Sequence, residues 1–201
     1  MAFGDSLTAG EIVVPGGDDT ETRPNPDAAY PAVLARLLSA RYTMQTITVV
    51  NRGKPAEQAE RALGRFVDDF LTNSPEAVIL LEGVNDIIAA ETTALGIDTA
   101  ERGVSALAAD ARNRHVRVFI VNLPPTKAGR RRVPLSTIQA FNDRLRVVAR
   151  GEGALLIDVF SALLPDVDAM VGSDGLHLTE AGYRRVGETV FAAIRDDLEI
   201  K

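Results

Sequence analysis

The chain has no cysteine and only two histidines among its 201 residues. Without cysteine there is no disulfide, no thiolate nucleophile and no sulfur-ligated metal. The two histidines, His115 and His177, lie far apart in sequence, which argues against a multi-histidine metal site. No apolar run approaches the roughly 20 residues of a membrane-crossing helix, so stable membrane insertion is not expected. Basic residues are outnumbered: 22 lysines and arginines against 28 aspartates and glutamates leave a net charge of −6. Nucleic acid asks for a basic face and is not expected as a partner. The one dense basic run is Arg130-Arg131-Arg132. It reads as a solvated loop, with a role in meeting anionic substrates as the alternative. No signal-peptide pattern is visible. Only Met1-Ala2-Phe3 precedes Gly4, however, whereas a buried strand usually has about 5–6 residues. The expectation is therefore that an upstream segment is missing, which leaves both a cytoplasmic and an exported location open.

What is present is an ordinary globular composition, 46% hydrophobic and 25% charged. A chain of this length is expected to form one domain, residues 1–201, burying about 70% of its unfolded surface. Short β-branched runs alternate with amphipathic helical patterns. Strands are expected at Ala2-Phe3, Thr46 to Asn51, Ala77 to Leu81, Val116 to Asn122 and Leu155 to Asp158. Helices are expected at Tyr30 to Arg41, Ala56 to Leu71, Thr99 to Arg112, Leu135 to Arg150 and Glu180 to Leu198, the last with Thr179 as N-cap. This alternation predicts a three-layer α/β/α sandwich around a parallel sheet. In such sheets function gathers in the loops after the carboxyl ends of the strands.

Those loops hold the residues with chemistry. Ser6 follows the first strand, in Gly4-Asp5-Ser6-Leu7. A serine is a poor nucleophile without a base, and a base needs an orienting carboxylate. His177, in Asp174-Gly175-Leu176-His177, supplies the base, and Asp174 the carboxylate one turn away. Donors for an oxyanion are at hand: the backbone N–H of Ser6, the bare N–H of Gly53, and the side-chain amide of Asn85. Asp86 reads as support for the Asn85 loop, and His115 as a strand-entrance residue. Two loops face the same rim. One is the long connection from Glu11 to Ala29, and the other runs from Pro124 to Pro134, with Pro124 and Pro125 as candidate substrate-binding residues. A rival reading takes Ser6-Leu7-Thr8-Ala9-Gly10 as a phosphate- or flavin-binding loop. It accounts for neither Asp174 and His177 nor Asn85. Gly-x-Ser-x-Gly is absent, since position 8 is Thr8, so this is not a nucleophile elbow.

Gly4-Asp5-Ser6-Leu7, Gly53, Gly83-Val84-Asn85-Asp86 and Asp174-Gly175-Leu176-His177 together resemble the four sequence blocks of the SGNH (GDSL) hydrolase superfamily. They occur in the family's order and span almost the whole chain. The resemblance implies a flavodoxin-like, five-stranded parallel sheet in an α/β/α sandwich and hydrolysis of carboxylic esters or thioesters without cofactor or metal. It makes Ser6 the nucleophile, His177 the base, Asp174 its partner, and Ser6, Gly53 and Asn85 the oxyanion hole. The expected partner is a small-molecule ester. Lysophospholipids, thioesters and acetylated carbohydrates are alternatives to simple short- to medium-chain esters. The second block departs from the usual pattern, reading Gly53-Lys54-Pro55-Ala56-Glu57.

Overall fold

The structure is a computed structural model and describes residues 1–18 and 21–199. Five strands form one parallel sheet: β1 (Ala2–Gly4), β4 (Asn51–Gly53), β5 (Ala77–Leu81), β6 (Arg117–Val121) and β7 (Leu155–Ile157), in the order β4-β1-β5-β6-β7. This is the flavodoxin-like order, as the sequence implied. β5 and β6 are nearly continuous apolar runs because both of their faces are covered. The helices α2 (Tyr30–Arg41), α7 (Val159–Leu163) and α9 (Glu180–Glu199) pack together on one face. On the other lie α3 (Leu63–Asn73), α5 (Thr93–Asn113) and α6 (Leu135–Glu152). Phe3, Phe66, Phe119, Leu80 and Leu81 form the centre of the core. None of the described helices is long and apolar enough to cross a membrane.

Several expected elements are shifted, each for a local reason. The second strand was expected at Thr46 to Asn51 but pairs only at Asn51–Gly53. Its neighbour β1 spans Ala2–Gly4, and the register Ala2↔Asn51 to Gly4↔Gly53 uses all of it. The helix expected from Ala56 begins only at Leu63, after a 3₁₀ turn at Ala59–Arg61. Ala56 has a left-handed backbone (φ 60°), which no α-helix accommodates. The α5 helix begins earlier than expected, because Thr92 caps it by accepting from Leu95 N at 3.2 Å. The Glu11 to Ala29 connection contains an antiparallel hairpin, β2 (Glu11–Val13) with β3 (Thr22–Pro24), while Asp19 and Thr20 lie outside the described residues. What reads as a short turn before Asp174 also holds α7 and α8 (Val167–Met170). Thr179 does cap α9, accepting from Gly182 N at 3.1 Å.

The strand order reverses direction between β1 and β5. The crevice outside their carboxyl ends is where such sheets bind ligands. A cavity of about 810 Å³ opens at the other end of the sheet, beside Met1, Ala77 and His115, away from the residues described next.

Candidate active site

Gly4 ends β1 and lets the chain turn sharply into the one-turn helix α1 (Ser6–Ala9). A Cβ at Gly4 would lie 2.1 Å from Thr8 Oγ1 and 2.2 Å from the Leu81 carbonyl oxygen. Asp5 caps α1 by accepting from Leu7 N at 2.8 Å. Ser6 is thereby fixed at the first helical position, where its N–H has no acceptor within the helix.

Asp174 and His177 sit on a turn stapled by the Val171↔Leu178 bridge and by Gly172 N donating to the His177 carbonyl at 2.7 Å. Asp174 Oδ1 accepts from the backbone N–H groups of Leu176 and His177, each at 3.0 Å. Its Oδ2 lies 2.6 Å from His177 Nδ1, and His177 Nε2 lies 2.9 Å from Ser6 Oγ. All three residues are buried. Burial pushes the Asp174 carboxyl up, but the hydrogen bonds from the His177 ring and the two amides outweigh it and hold the group below its ordinary value. Asp174 is therefore a carboxylate at neutral pH, and a carboxylate accepts a proton-bearing Nδ1. That tautomer leaves Nε2 free to take a proton from Ser6.

The residues expected as oxyanion donors stand at the carboxyl ends of β1, β4 and β5, on one rim of the sheet. Gly53 pairs with Gly4 across β1 and β4 and packs against α1 so closely that a Cβ there would lie 2.0 Å from Ala9 N. Its N–H donates to Asn51 Oδ1 at 2.9 Å. Asn85 stands in the first turn of α4 (Val84–Ala89), entered through Gly83 in a left-handed conformation (φ 114°). Its Nδ2 donates to the Glu57 carbonyl at 2.9 Å and, more weakly, to Asp5 Oδ2 at 3.3 Å. Pro124 and Pro125 are buried in the loop after β6, which Asn142 pins through two hydrogen bonds to the Leu123 backbone. His115 lies at the opposite end of the sheet.

Apart from Asp86, which reads in the sequence as support for the Asn85 loop, sequence reasoning misses the polar shell behind these residues. Arg65 forms a bidentate pair with Glu57, bonds Asp69 at 2.7 Å, and stacks its guanidinium over Phe3 at 3.9 Å. It thus neutralises the Glu57 side chain whose backbone carbonyl holds Asn85. Asp86 accepts from Ala59 N at 2.8 Å and Glu60 N at 3.1 Å, fixing the segment after Gly53 to α4. The single carboxylate of Gly83-Val84-Asn85-Asp86 is the available sequence signal for that tie. Asp5 and Glu82 are buried deeper still. Burial pushes both carboxyls up, and each repels the negative charge of its acidic neighbours.

Groups raised in this way bind protons in the folded state that the unfolded chain releases. Their stabilising contribution is thus present at low pH and lost as pH rises through the raised range. Glu82 Oε1 has no hydrogen-bond partner among the described residues. Glu82→Gln is neutral at every pH and should remove this loss. Thermal melts should show a gain over the parent chain that is larger near pH 8 than near pH 5, by roughly 2–4 °C for each kcal/mol of relieved charge burial. Equal gains at both pH values would show that Glu82 does not titrate in that window.

A hydroxyl, an imidazole and a buried carboxylate in hydrogen-bonded series, on the carboxyl rim of an α/β/α sheet, are the arrangement of the serine ester hydrolases. The chain belongs to the GDSL-like lipase/acylhydrolase family, whose model matches residues 2–185. It is an enzyme of the GDSL ester-hydrolase type. No curated protein sequence matches the chain. Solved structures do. The lipase/acylhydrolase from Enterococcus faecalis is 24% identical, with a TM-score of 0.75 over 98% of this chain and 94% of that one. An acetylxylan esterase from Geobacillus stearothermophilus is 18% identical, with a TM-score of 0.77 over 96% of this chain and 92% of that one. At these identities the likeness is one of fold.

Proposed function

We propose that residues 1–201 act as one SGNH-hydrolase domain that cleaves carboxylic esters of short to medium acyl chain through an acyl-enzyme. The observation that carries the reading is the unbroken series Ser6 Oγ, His177 Nε2, His177 Nδ1, Asp174 Oδ2, with contacts of 2.9 Å and 2.6 Å. Ser6 Oγ attacks the ester carbonyl while His177 Nε2 takes its proton, and Asp174 stabilises the imidazolium that forms. The N–H of Ser6 and the Asn85 amide receive the oxyanion, and the Gly53 N–H joins them by exchanging its bond to Asn51 Oδ1 for the oxyanion. For Asn85 this replaces the long contact to Asp5 and keeps the shorter one to Glu57. His177 then protonates the departing alcohol. Water enters and attacks the acyl carbonyl as His177 takes its proton; the bond to Ser6 Oγ breaks, His177 returns the proton to that oxygen, and the acid departs. These steps need neither metal nor organic cofactor. Pro124 and Pro125 are proposed as part of the wall beneath the bound ester.

The fold likeness to an acetylxylan esterase supports acetylated carbohydrate as a second substrate class. Two measurements test the reading together. The protein should release nitrophenol from para-nitrophenyl acetate and butyrate, and a fluorophosphonate probe should attach to the peptide carrying Ser6. Stoichiometric attachment to any other residue, or turnover that persists with Ser6 fully labelled, would remove Ser6 from the chemistry.

A further inference from the structure

A second concavity, of about 240 Å³, is lined in part by Arg131, whose Nε lies 3.9 Å from Asp174 Oδ2. It is lined by the arginine run Arg130-Arg131-Arg132 and by Ile88, Thr93 and Thr137. Its position is fixed from both sides. The arginine loop is bound to the triad turn: Arg131 N donates to the Asp174 carbonyl at 2.8 Å, and Lys127 N to the Gly175 carbonyl at 3.2 Å. Gly129 lies so close that a Cβ there would meet the Asp174 carbonyl carbon at 2.3 Å. The lining also takes in α4, the helix that carries Asn85. The concavity therefore opens between the two loops that frame Ser6.

Its three guanidinium groups are not equivalent. Arg130 forms an ion pair with Asp18 at 3.2 Å. Arg131 Nε lies 3.9 Å from Asp174 Oδ2. Arg132 is exposed, and its side chain has no hydrogen-bond or ion-pair partner among the described residues. On a chain of net charge −6, an unpaired arginine on the wall of a pocket joined to the triad turn makes a local positive field against the general one. Guanidinium donors match the geometry of carboxylate and phosphate oxygens, and Thr93 and Thr137 share the lining.

We propose that this concavity is a subsite for an anionic group, a carboxylate or phosphate, carried by the ester substrate, with Arg132 as its principal contact. The proposal rests on the esterase reading and narrows its substrate class to acidic esters. An anion steered toward Arg132 leaves the scissile bond beside Ser6. Arg131, which already faces the triad carboxylate, helps to set the field without being free to reach out.

The test uses matched esters that differ in one charge. Phenyl acetate is compared with meta-acetoxybenzoate, which places a carboxylate on the alcohol side. Para-nitrophenyl hexanoate is compared with mono-para-nitrophenyl adipate, which places it on the acyl side. In at least one pair the anionic member should have the higher kcat/KM, by roughly tenfold or more, as a charge-assisted hydrogen bond provides. The advantage should shrink with added salt. Arg132→Gln should lower the anionic-to-neutral ratio about tenfold, chiefly through KM, and Arg132→Glu should invert it. No charge preference in either pair, or a preference that survives both variants, overturns the subsite while leaving the esterase reading intact. No turnover of any of the four esters overturns both.

Discussion

Ser6→Ala is expected to lower kcat/KM for para-nitrophenyl butyrate by on the order of 10⁴-fold or more, leaving only what binding and the oxyanion donors supply. The reasoning is local. Among the described residues the Ser6 hydroxyl makes one hydrogen bond, to His177 Nε2, and Asp5 rather than Ser6 caps α1. Alanine also suits a first helical turn. The cost in stability should therefore stay near that of one neutral hydrogen bond, about 1 kcal/mol, or roughly 2–4 °C in melting temperature. Activity lost with the fold retained is the signature of a nucleophile. Steady-state kinetics and a melting curve on the same preparation check it. A variant that keeps a tenth of the parent rate, or that loses activity only by unfolding, would sink the assignment.

The inner strands and the reacting groups were legible in the sequence for different reasons. β5 and β6 stand out because a strand covered on both faces needs a continuous apolar run, and Ala77-Val78-Ile79-Leu80-Leu81 admits no other element of that length. Ser6, Asp174 and His177 stand out because few chemistries combine a glycine-flanked serine with an Asp-x-x-His turn. The structure brings them within hydrogen-bond distance across 171 residues of sequence. The misplaced pieces depend on partners the sequence does not name. The end of β4 is set by β1, and the start of α3 by Asp86 capping Ala59 and Glu60 from a distant helix. The same holds for the shell behind the site. Arg65, Glu57 and Asp69 are unremarkable charges on a helix and a loop until the fold places the guanidinium over Phe3. The hairpin β2–β3 has only three residues per strand and Pro24 at its end, too short for an apolar alternation to mark it.

Asp174→Asn is expected to cost about 10⁴ in kcat, nearly as much as removing the nucleophile, with far less change in structure than Asp174→Ala would bring. The carboxylate has two jobs on two oxygens. Oδ1 accepts from Leu176 N and His177 N and so shapes the turn, while Oδ2 meets His177 Nδ1. An asparagine can keep its oxygen on the two amides and hold the turn. Its NH₂ group then faces Nδ1 and must donate to it. That moves the ring proton to Nε2, where it points at Ser6, so the ring can no longer accept the serine proton. Alanine instead leaves two buried amides and the ring N–H without an acceptor, at about 1–3 kcal/mol for each group stranded, and should be clearly less stable. The pair of variants therefore separates orientation from architecture: Asn folded and inactive, Ala inactive and destabilised. A folded Asp174→Asn enzyme with near-parental turnover would mean that something other than this carboxylate sets the imidazole tautomer, and that the 2.6 Å contact is structural only.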